Sequence, residues 1–416
     1  MWGEQSFMTP ETVVAIRKKA VGYLLSSITE KGIPAAVEGR FRNVIFTRDY
    51  AISGLLLLEK PQNGELPLLL DGIRRSLETS ASHQGTRFNP VTSETPGEMP
   101  HEIHDKDSPQ DRLAEIKDNG GPVVEVNGHL EMVTYWARDA NALWNSLFSR
   151  YVQATRDWSF RDRLWPNFVA SQRWLMKYGD IDGDLLIEGL HNQWWKDSET
   201  ALVDEGGRKP IDPIAALDVN SFASLSDLES AWLYESKENY ATAQALRIRA
   251  LKRRELINQL FWMEDMRLFA PALDAEKKPI RIATSDSVFP LWVGIADKQR
   301  AQINIGRLME PDLLTLWGLR TRSRNSSQYD QDQYQNGPVW YQLAAIAAAA
   351  CEKYGMKQET VVFDEAVFRA ARELGFPELS GVDDQNNVFS YKEKGVPVAC
   401  NLQTWVLGGV LNRTAS

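Results

Sequence analysis

The sequence has little cysteine, little histidine, no basic excess and no long apolar run. Cys351 and Cys400 are its only cysteines. A secreted disulfide framework uses more, so both read as buried free thiols. With five histidines in 416 residues, a histidine-rich metal centre has little to draw on. His101, Glu102 and His104 stand together in "TPGEMPHEIHD" without a second His or Cys cluster, and no metal site is expected from them. The net charge of −9, with no compensating Lys/Arg run, excludes polyanion binding and hence a nucleic-acid partner. No stretch approaches the roughly 18–20 apolar residues of a membrane span. The opening "MWGEQSFMTPETVVAIRKKA" lacks a basic segment followed by an apolar core, so a cytoplasmic location is expected.

What is abundant is tryptophan: 14, against 12 tyrosines. That excess favours surfaces needing broad, rigid, amphipathic faces. Helical periodicity dominates, over 10–28, 47–60, 66–81, 132–153, 155–177, 219–236, 238–264, 284–295, 297–309, 336–354, 357–374 and 399–411. Thr9 followed by Pro10 is a helix start. "VVEVNGHLEM" (123–132) predicts a hairpin turning at Asn127-Gly128, and no strand series suffices for a sheet core. Twelve helices without a fixed repeat suggest six helical hairpins closed into a ring, an all-α architecture forming a single domain over 1–416. Inner helices are then apolar on nearly all sides, which fits "YAISGLLLLE" and "GPVWYQLAAIAAAACEKYG". The long connections 82–110, 179–218 and 375–398 carry Trp, His, Pro and carboxylates, so function is sought at one mouth of the ring.

"FTRDYA" places Arg48 and Asp49 at the start of an apolar helix, and "TYWARDAN" repeats the arrangement with Trp136, Arg138 and Asp139. Each pair reads either as a charge pair complementing the helix dipole or as a clamp for sugar hydroxyls. "YGDIDGDLLIE" begins like a calcium loop through Asp180, Asp182 and Asp184, then departs from it. Leu185 stands where a sharp turn wants Gly, and His191 where the loop wants Glu, so a tight Asp/Gly turn is expected. In "NQWWKDSETA", Trp194 and Trp195 flank Lys196 and Asp197. An aromatic, low-dielectric setting favours a protonated Asp197, the state in which a carboxyl serves a leaving oxygen. Lys196 would oppose this if it pointed inward, so it is expected to point elsewhere or to bind a hydroxyl. "YQNGPVWYQ" offers Tyr334, Asn336 and Trp340; "GFPELSG" holds Glu378 on a rigid loop, followed by a helix with Gln403 and Trp405.

These motifs, with "GLRTRSRNSSQYDQDQYQNGPVW" and "GVPVACNLQTW" between and after them, occur in the order found in amylo-α-1,6-glucosidase, the glucosidase half of glycogen debranching enzymes. The chain also resembles other six-hairpin glycosidases, including mannosylglycerate and glucosylglycerate hydrolases, from about residue 40 to 411. The resemblance implies an (α/α)6 barrel and an inverting mechanism with a carboxyl pair. Asp197 matches the general acid of the "WKDS" motif and Glu378 the general base of the "PEL" motif. Arg48, Asp49 and Asp139 match the subsite of the cleaved sugar, with Trp194, Tyr334, Asn336 and Trp340 bordering it. Relatives often read "DGDG" where this chain has Asp182-Gly183-Asp184-Leu185, and "NQGWKDS" where Trp194 replaces the glycine. A ring there is expected to reshape the pocket and to disfavour glycogen-like substrates.

The expected protein is thus an inverting, exo-acting hydrolase of a short α-glycoside, an α-glucoside before others, needing no cofactor. The rival is a hydrolase of a compatible solute such as glucosylglycerate or mannosylglycerate, for whose carboxylate Arg320, Arg322 and Arg324 are candidates. Sugar 2-epimerases share the barrel but work through histidines, which the aromatic motif lacks. A non-catalytic carbohydrate-binding protein is the alternative outside enzymes. The sequence leaves the oligomeric state open.

Overall fold

The computed structural model describes residues 8–60, 66–390, 392–393, 396–397 and 399–413. The first seven residues of the segment read for a leader, and part of the 375–398 loop, lie outside these. Among the described residues there are thirteen α-helices: α1 Pro10–Ser27, α2 Thr47–Glu59, α3 Leu66–Ser82, α4 Gln110–Asp118, α5 Ala140–Thr155, α6 Trp158–Trp174, α7 Leu217–Glu235, α8 Tyr240–Leu256, α9 Phe289–Trp292, α10 Lys298–Leu308, α11 Tyr341–Lys353, α12 Lys357–Glu373 and α13 Thr404–Asn412. Local chemistry starts several of them. Thr9 Oγ1 accepts from the Thr12 N–H ahead of Pro10, Asp157 caps α6 through the Phe160 N–H, and Asn239 caps α8 through the Thr242 N–H.

Six helices form a closed ring. α2 packs on α5, α5 on α7, α7 on α9, α9 on α11, α11 on α13, and α13 returns to α2. A second layer lies outside: α3 against α2, α6 against α5, α8 against α7, α12 against α11, α1 against α13, and α10 against the turn Ser285–Val288 that leads into α9. This is an (α/α)6 barrel. The two layers differ in sequence because they differ in what they touch. α1 buries Val13, Ile16, Ala20, Leu24 and Ser27, one stripe at helical spacing. α2 is buried continuously from Thr47 to Leu57, and α11 from Tyr341 to Cys351. Close helix approach needs small residues: a Cβ on Gly409 of α13 would lie 2.8 Å from the Ala345 Cβ of α11. Gly409→Val is therefore expected to destabilise the fold by about 1–3 kcal/mol through overpacking. A urea midpoint equal to or above that of the parent protein would contradict this contact.

Several helix boundaries differ from those the periodicity predicts. The 132–153 segment is a helix only from Ala140, because His129–Thr134 is a strand. Met132, Val133 and Thr134 pair with His104, Ile103 and Glu102, a long-range ladder that overrides local periodicity. This strand belongs to a four-stranded antiparallel sheet ordered Ile45–Phe46, Glu102–His104, His129–Thr134, Val124–Val126. The last pair is the expected hairpin, with positive φ at Asn127 and Gly128. Segment 238–264 ends in a π turn, Ile257–Phe261, and a strand from Trp262. Segment 284–295 is split between a four-residue 3-10 turn, Ser285–Val288, and the four α-helical residues of α9. α4 was not expected: "QDRLAEIKD" buries only Leu113 and so carries no apolar stripe. No helix among the described residues is long and apolar enough to cross a membrane.

Candidate active site

The first turns of the inner helices and the turns leading into them carry the site. Arg48 and Asp49 lie in the first turn of α2, Asp139 immediately precedes α5, and Asp218 lies in the first turn of α7. Asp286 sits in the turn before α9, and Trp340 and Gln403 immediately precede α11 and α13. Carboxylates at helix starts meet the positive end of the backbone dipole. Beside them lies a cavity of about 330 Å³ bordered by Arg48, Asp49, Trp195, Asp197, Tyr334, Trp340, Glu378, Gln403 and Trp405. Arg40, Phe41, Phe46, Ser198, Gln333 and Gln335 complete its lining.

The floor is charged and buried. Arg48 donates through Nε and Nη2 to the two carboxylate oxygens of Asp139, and Nη2 also reaches the Trp194 carbonyl at 3.0 Å. Burial opposes charge on Arg48, but Asp139 outweighs it and the guanidinium is held protonated. Asp49 accepts from Gln403 Nε2 at 3.1 Å. Burial pushes its carboxyl well above the usual range, against the pull of Arg48. Burial also raises Asp218 to about 7. Asp218 accepts from the Trp195 N–H and so positions the aromatic motif from behind.

The wall is aromatic. Trp340 meets Trp195, Tyr334 and Trp405 edge-to-face at centroid separations of 5.3, 5.0 and 5.7 Å. Apolar faces of this kind suit the C–H faces of a sugar ring. Trp195 Nε1 donates to Asp286 Oδ1 at 2.6 Å, which fixes its ring. Trp340 reaches its position because Val339–Trp340 is a strand paired with Leu379 and Ser380, which sets it next to Glu378.

The two carboxyls occupy unlike environments. Glu378 is 2% exposed, with Oε1 accepting from the Tyr334 hydroxyl (2.5 Å) and Oε2 from the Cys400 N–H (3.0 Å). Burial raises its pKa to about 7, against the Tyr334 and Cys400 hydrogen bonds. Asp197 is exposed at the mouth, and its Oδ1 accepts from Gln335 Nε2 at 2.9 Å. The apolar burial expected for Asp197 is therefore not found. Its neighbours in sequence turn inward while it turns to the mouth.

Other expectations need correction. Trp194 is not a cavity wall: its ring is buried behind Trp195, with Nε1 on the His191 carbonyl. Successive side chains along non-helical backbone diverge, so only one of the pair faces the cavity. Lys196 points away from the cavity, one of the two outcomes expected of it, and is buried on Asp286 (2.7 Å) and the Thr321 carbonyl (2.9 Å). Trp136 braces the 192–197 segment through the Asn192 carbonyl, and Asn336 donates to Thr200 Oγ1. Neither borders the cavity, and Asp139 acts on it through Arg48. Arg320 holds the carbonyls of Val382 and Asp383, Arg322 the carbonyl of Val203, and Arg324 the carboxylate of Asp384. All three are occupied away from the cavity.

Asp180, Asp182 and Glu188 lie close enough to share an ion, but Lys277 Nζ reaches Asp182 (3.1 Å), Asp184 (2.9 Å) and Glu188. An internal ammonium thus pairs with two of the three carboxylates of that group. His104 donates to Glu102, and His101 is buried against Phe46, where burial lowers its pKa. Arg40 and Gln335 were missed by sequence reasoning. Arg40 sits in the unassuming turn "EGRF", and Gln335 between two residues that were singled out.

A profile of the mannosylglycerate hydrolase MGH1-like glycoside hydrolase domain matches residues 73–380, more than half of the chain, including Asp197 and Glu378. The curated mannosylglycerate hydrolase of Rubrobacter radiotolerans is 24% identical over 155 residues, and the match spans 35% of this chain and 35% of that protein. Among solved structures, the GH63 mannosylglycerate hydrolase of Thermus thermophilus in complex with Tris and D-glycerate superposes with a TM-score of 0.67 at 16% identity. The alignment covers 95% of this chain and 99% of that one. The same enzyme in complex with glucose gives 0.66 at 14% identity, over 95% and 99%. At these identities the superpositions speak for the fold, while the matched profile speaks for the family. The chain belongs to the mannosylglycerate hydrolase MGH1-like glycoside hydrolases.

Proposed function

We propose that this single-domain protein is an inverting, exo-acting hydrolase of a short α-glycoside, with Asp197 as general acid and Glu378 as general base. The observation that carries the reading is that both carboxyls border one cavity of about 330 Å³, one exposed at its mouth and one buried in its wall. A cavity near the lower end of ligand-site volumes suits one sugar and a small aglycone rather than a polymer. Asp197 gives its proton to the glycosidic oxygen as the bond from the anomeric carbon breaks. Glu378 takes a proton from a water whose oxygen attacks that carbon from the opposite face. Inversion requires the carboxyls to stand about 6.5–9.5 Å apart, leaving room for the water. Tyr334 and the Cys400 N–H donate to Glu378 and favour its ionised form. Arg48, Asp49 and Gln403 supply donors and acceptors for sugar hydroxyls. Proton NMR of the first product tests the mechanism. The β-anomer is expected first from an α-glycoside, and early release of the α-anomer would remove Glu378 from the role of base.

One observation favours a compatible solute over a neutral glucoside. Arg40 borders the cavity without an ion-pair partner among the described residues, its guanidinium resting over the Phe41 ring at 5.3 Å. A glycerate carboxylate on the aglycone gives it one. The known substrate of the relatives' name, mannosylglycerate, has that chemistry. Arg40→Gln is expected to raise KM for mannosylglycerate about tenfold or more, the worth of a hydrogen bond to a charged group, while KM for methyl α-mannoside stays the same; because Arg40 also lowers the pKa of Glu378, the acid limb should move to higher pH for both substrates. Equal KM changes for both would transfer carboxylate recognition away from Arg40.

A further inference from the structure

We infer that the dipeptide Tyr334-Gln335 couples the acid and the base, each residue positioning one of the two carboxyls. The inference rests on the roles proposed above for Asp197 and Glu378. The Tyr334 hydroxyl donates to Glu378 Oε1 at 2.5 Å, and Gln335 Nε2 donates to Asp197 Oδ1 at 2.9 Å. Adjacent residues thus reach carboxyls that lie 181 positions apart in the chain and border the same cavity.

The segment that carries them is tied down on several sides. Trp340 Nε1 donates to the Tyr334 carbonyl at 3.0 Å, and the Tyr334 ring stands edge-on to Trp340. Gln335 Nε2 also reaches the Trp195 carbonyl at 3.2 Å, which links it to the motif that bears Asp197. Just beyond, the Gly337 N–H donates to Thr321 Oγ1. A Cβ on Gly337 would come within 2.9 Å of the Asp330 carbonyl oxygen, so the chain folds tightly on itself there. Tyr334 and Gln335 are positioning residues in this scheme: each acts through a carboxyl that does the proton transfer. Displacing the segment displaces acid and base together, so the spacing between them is set by one short stretch.

Substrates with different leaving groups separate the two arms. Mannosylglycerate needs its leaving oxygen protonated, whereas α-mannosyl fluoride needs far less help from the acid. Gln335→Leu is expected to lower kcat on mannosylglycerate by about 3- to 10-fold, the range for a lost hydrogen bond to the neutral carboxyl that a general acid carries, and to spare the fluoride. Tyr334→Phe is expected to lower kcat on both substrates by a similar factor. It should also move the acid limb of the kcat/KM profile to higher pH, because the ionised Glu378 loses a donor. Arg40, Asp49, Asp197 and Cys400 also face Glu378 and are unchanged in that variant. Gln335→Met keeps the length of the side chain without a donor or a charge, guards against a folding defect, and is expected to show the same selective loss as Gln335→Leu. Equal losses on both substrates for the Gln335 variants, or an unmoved acid limb for Tyr334→Phe, would overturn the coupling. Asp197→Ala is measured alongside. If it retains full activity on mannosylglycerate, the acid assignment itself falls; if it shows the selective loss and the Gln335 variants do not, only the coupling falls.

Discussion

Asp197→Ala is expected to lower turnover of an unactivated glycoside by about two to four orders of magnitude, the usual worth of a positioned general acid. The loss should shrink on a glycosyl fluoride, whose leaving group departs without protonation. Stability should barely change, because Asp197 is exposed and surface substitutions usually stay within about 0.5 kcal/mol. Exposure also says how the acid works. In the free protein its carboxyl is open to water at the mouth of the cavity, where an incoming glycoside meets it directly. The measurement is kcat on both substrate types beside a melting curve. Full activity on the unactivated glycoside would require a different acid.

The second large effect is at Glu378. Glu378→Gln keeps the shape and removes the base, so activity should fall about two to four orders of magnitude on activated and unactivated substrates alike. In the parent protein kcat/KM should rise as pH increases through about 7, because Glu378 must be ionised to accept a proton and burial holds its pKa there. The same shift has a cost in stability. A carboxyl whose folded pKa lies above its unfolded value of 4.5 binds its proton more tightly when folded. Its contribution to stability is complete below the unfolded value and is lost as pH rises through about 7. Glu378→Gln should therefore be at least as stable as the parent at pH 8, while nearly inactive. Such opposition between activity and stability is common at active sites. Thermal melts at pH 5 and pH 8 check the sign, and a variant less stable than the parent at pH 8 would contradict it.

The inner ring was legible because runs such as Gly54–Leu58 and Ala344–Ala350 leave no polar face, which fits only a helix surrounded by others. The hairpin at Asn127-Gly128 was legible from turn chemistry alone. Boundaries failed where a partner distant in sequence decided the matter, as at Met132–Thr134, which joins a ladder instead of extending α5. In the site, Arg48, Asp49, Trp195, Tyr334, Trp340, Gln403 and Trp405 were singled out and do border the cavity. The error at Trp194 and Trp195 came from orientation: composition says that two rings are present, and only the backbone path says which one faces the cavity. Asp286 was not anticipated, because in "TSDSVF" it looks like an ordinary helix-start residue. Its role arises from Trp195 and Lys196 reaching it from 91 and 90 positions away.

The ring closes between α13 and α2, and this imposes an order on biosynthesis. Asp49 and its partner Gln403 are 354 positions apart. At synthesis rates of roughly 5–20 residues per second, Asp49 waits on the order of 20–70 s for that partner to be made. Throughout this interval α2, whose residues from Thr47 to Leu57 are all buried in the finished ring, lacks one of its two inner neighbours. An apolar helix left open on one side is a target for chaperones and for other nascent chains. The pocket likewise gains Gln403 and Trp405 only with the last of its helices, so a ribosome stalled before α13 would carry a chain that holds both Asp197 and Glu378 yet has no complete site.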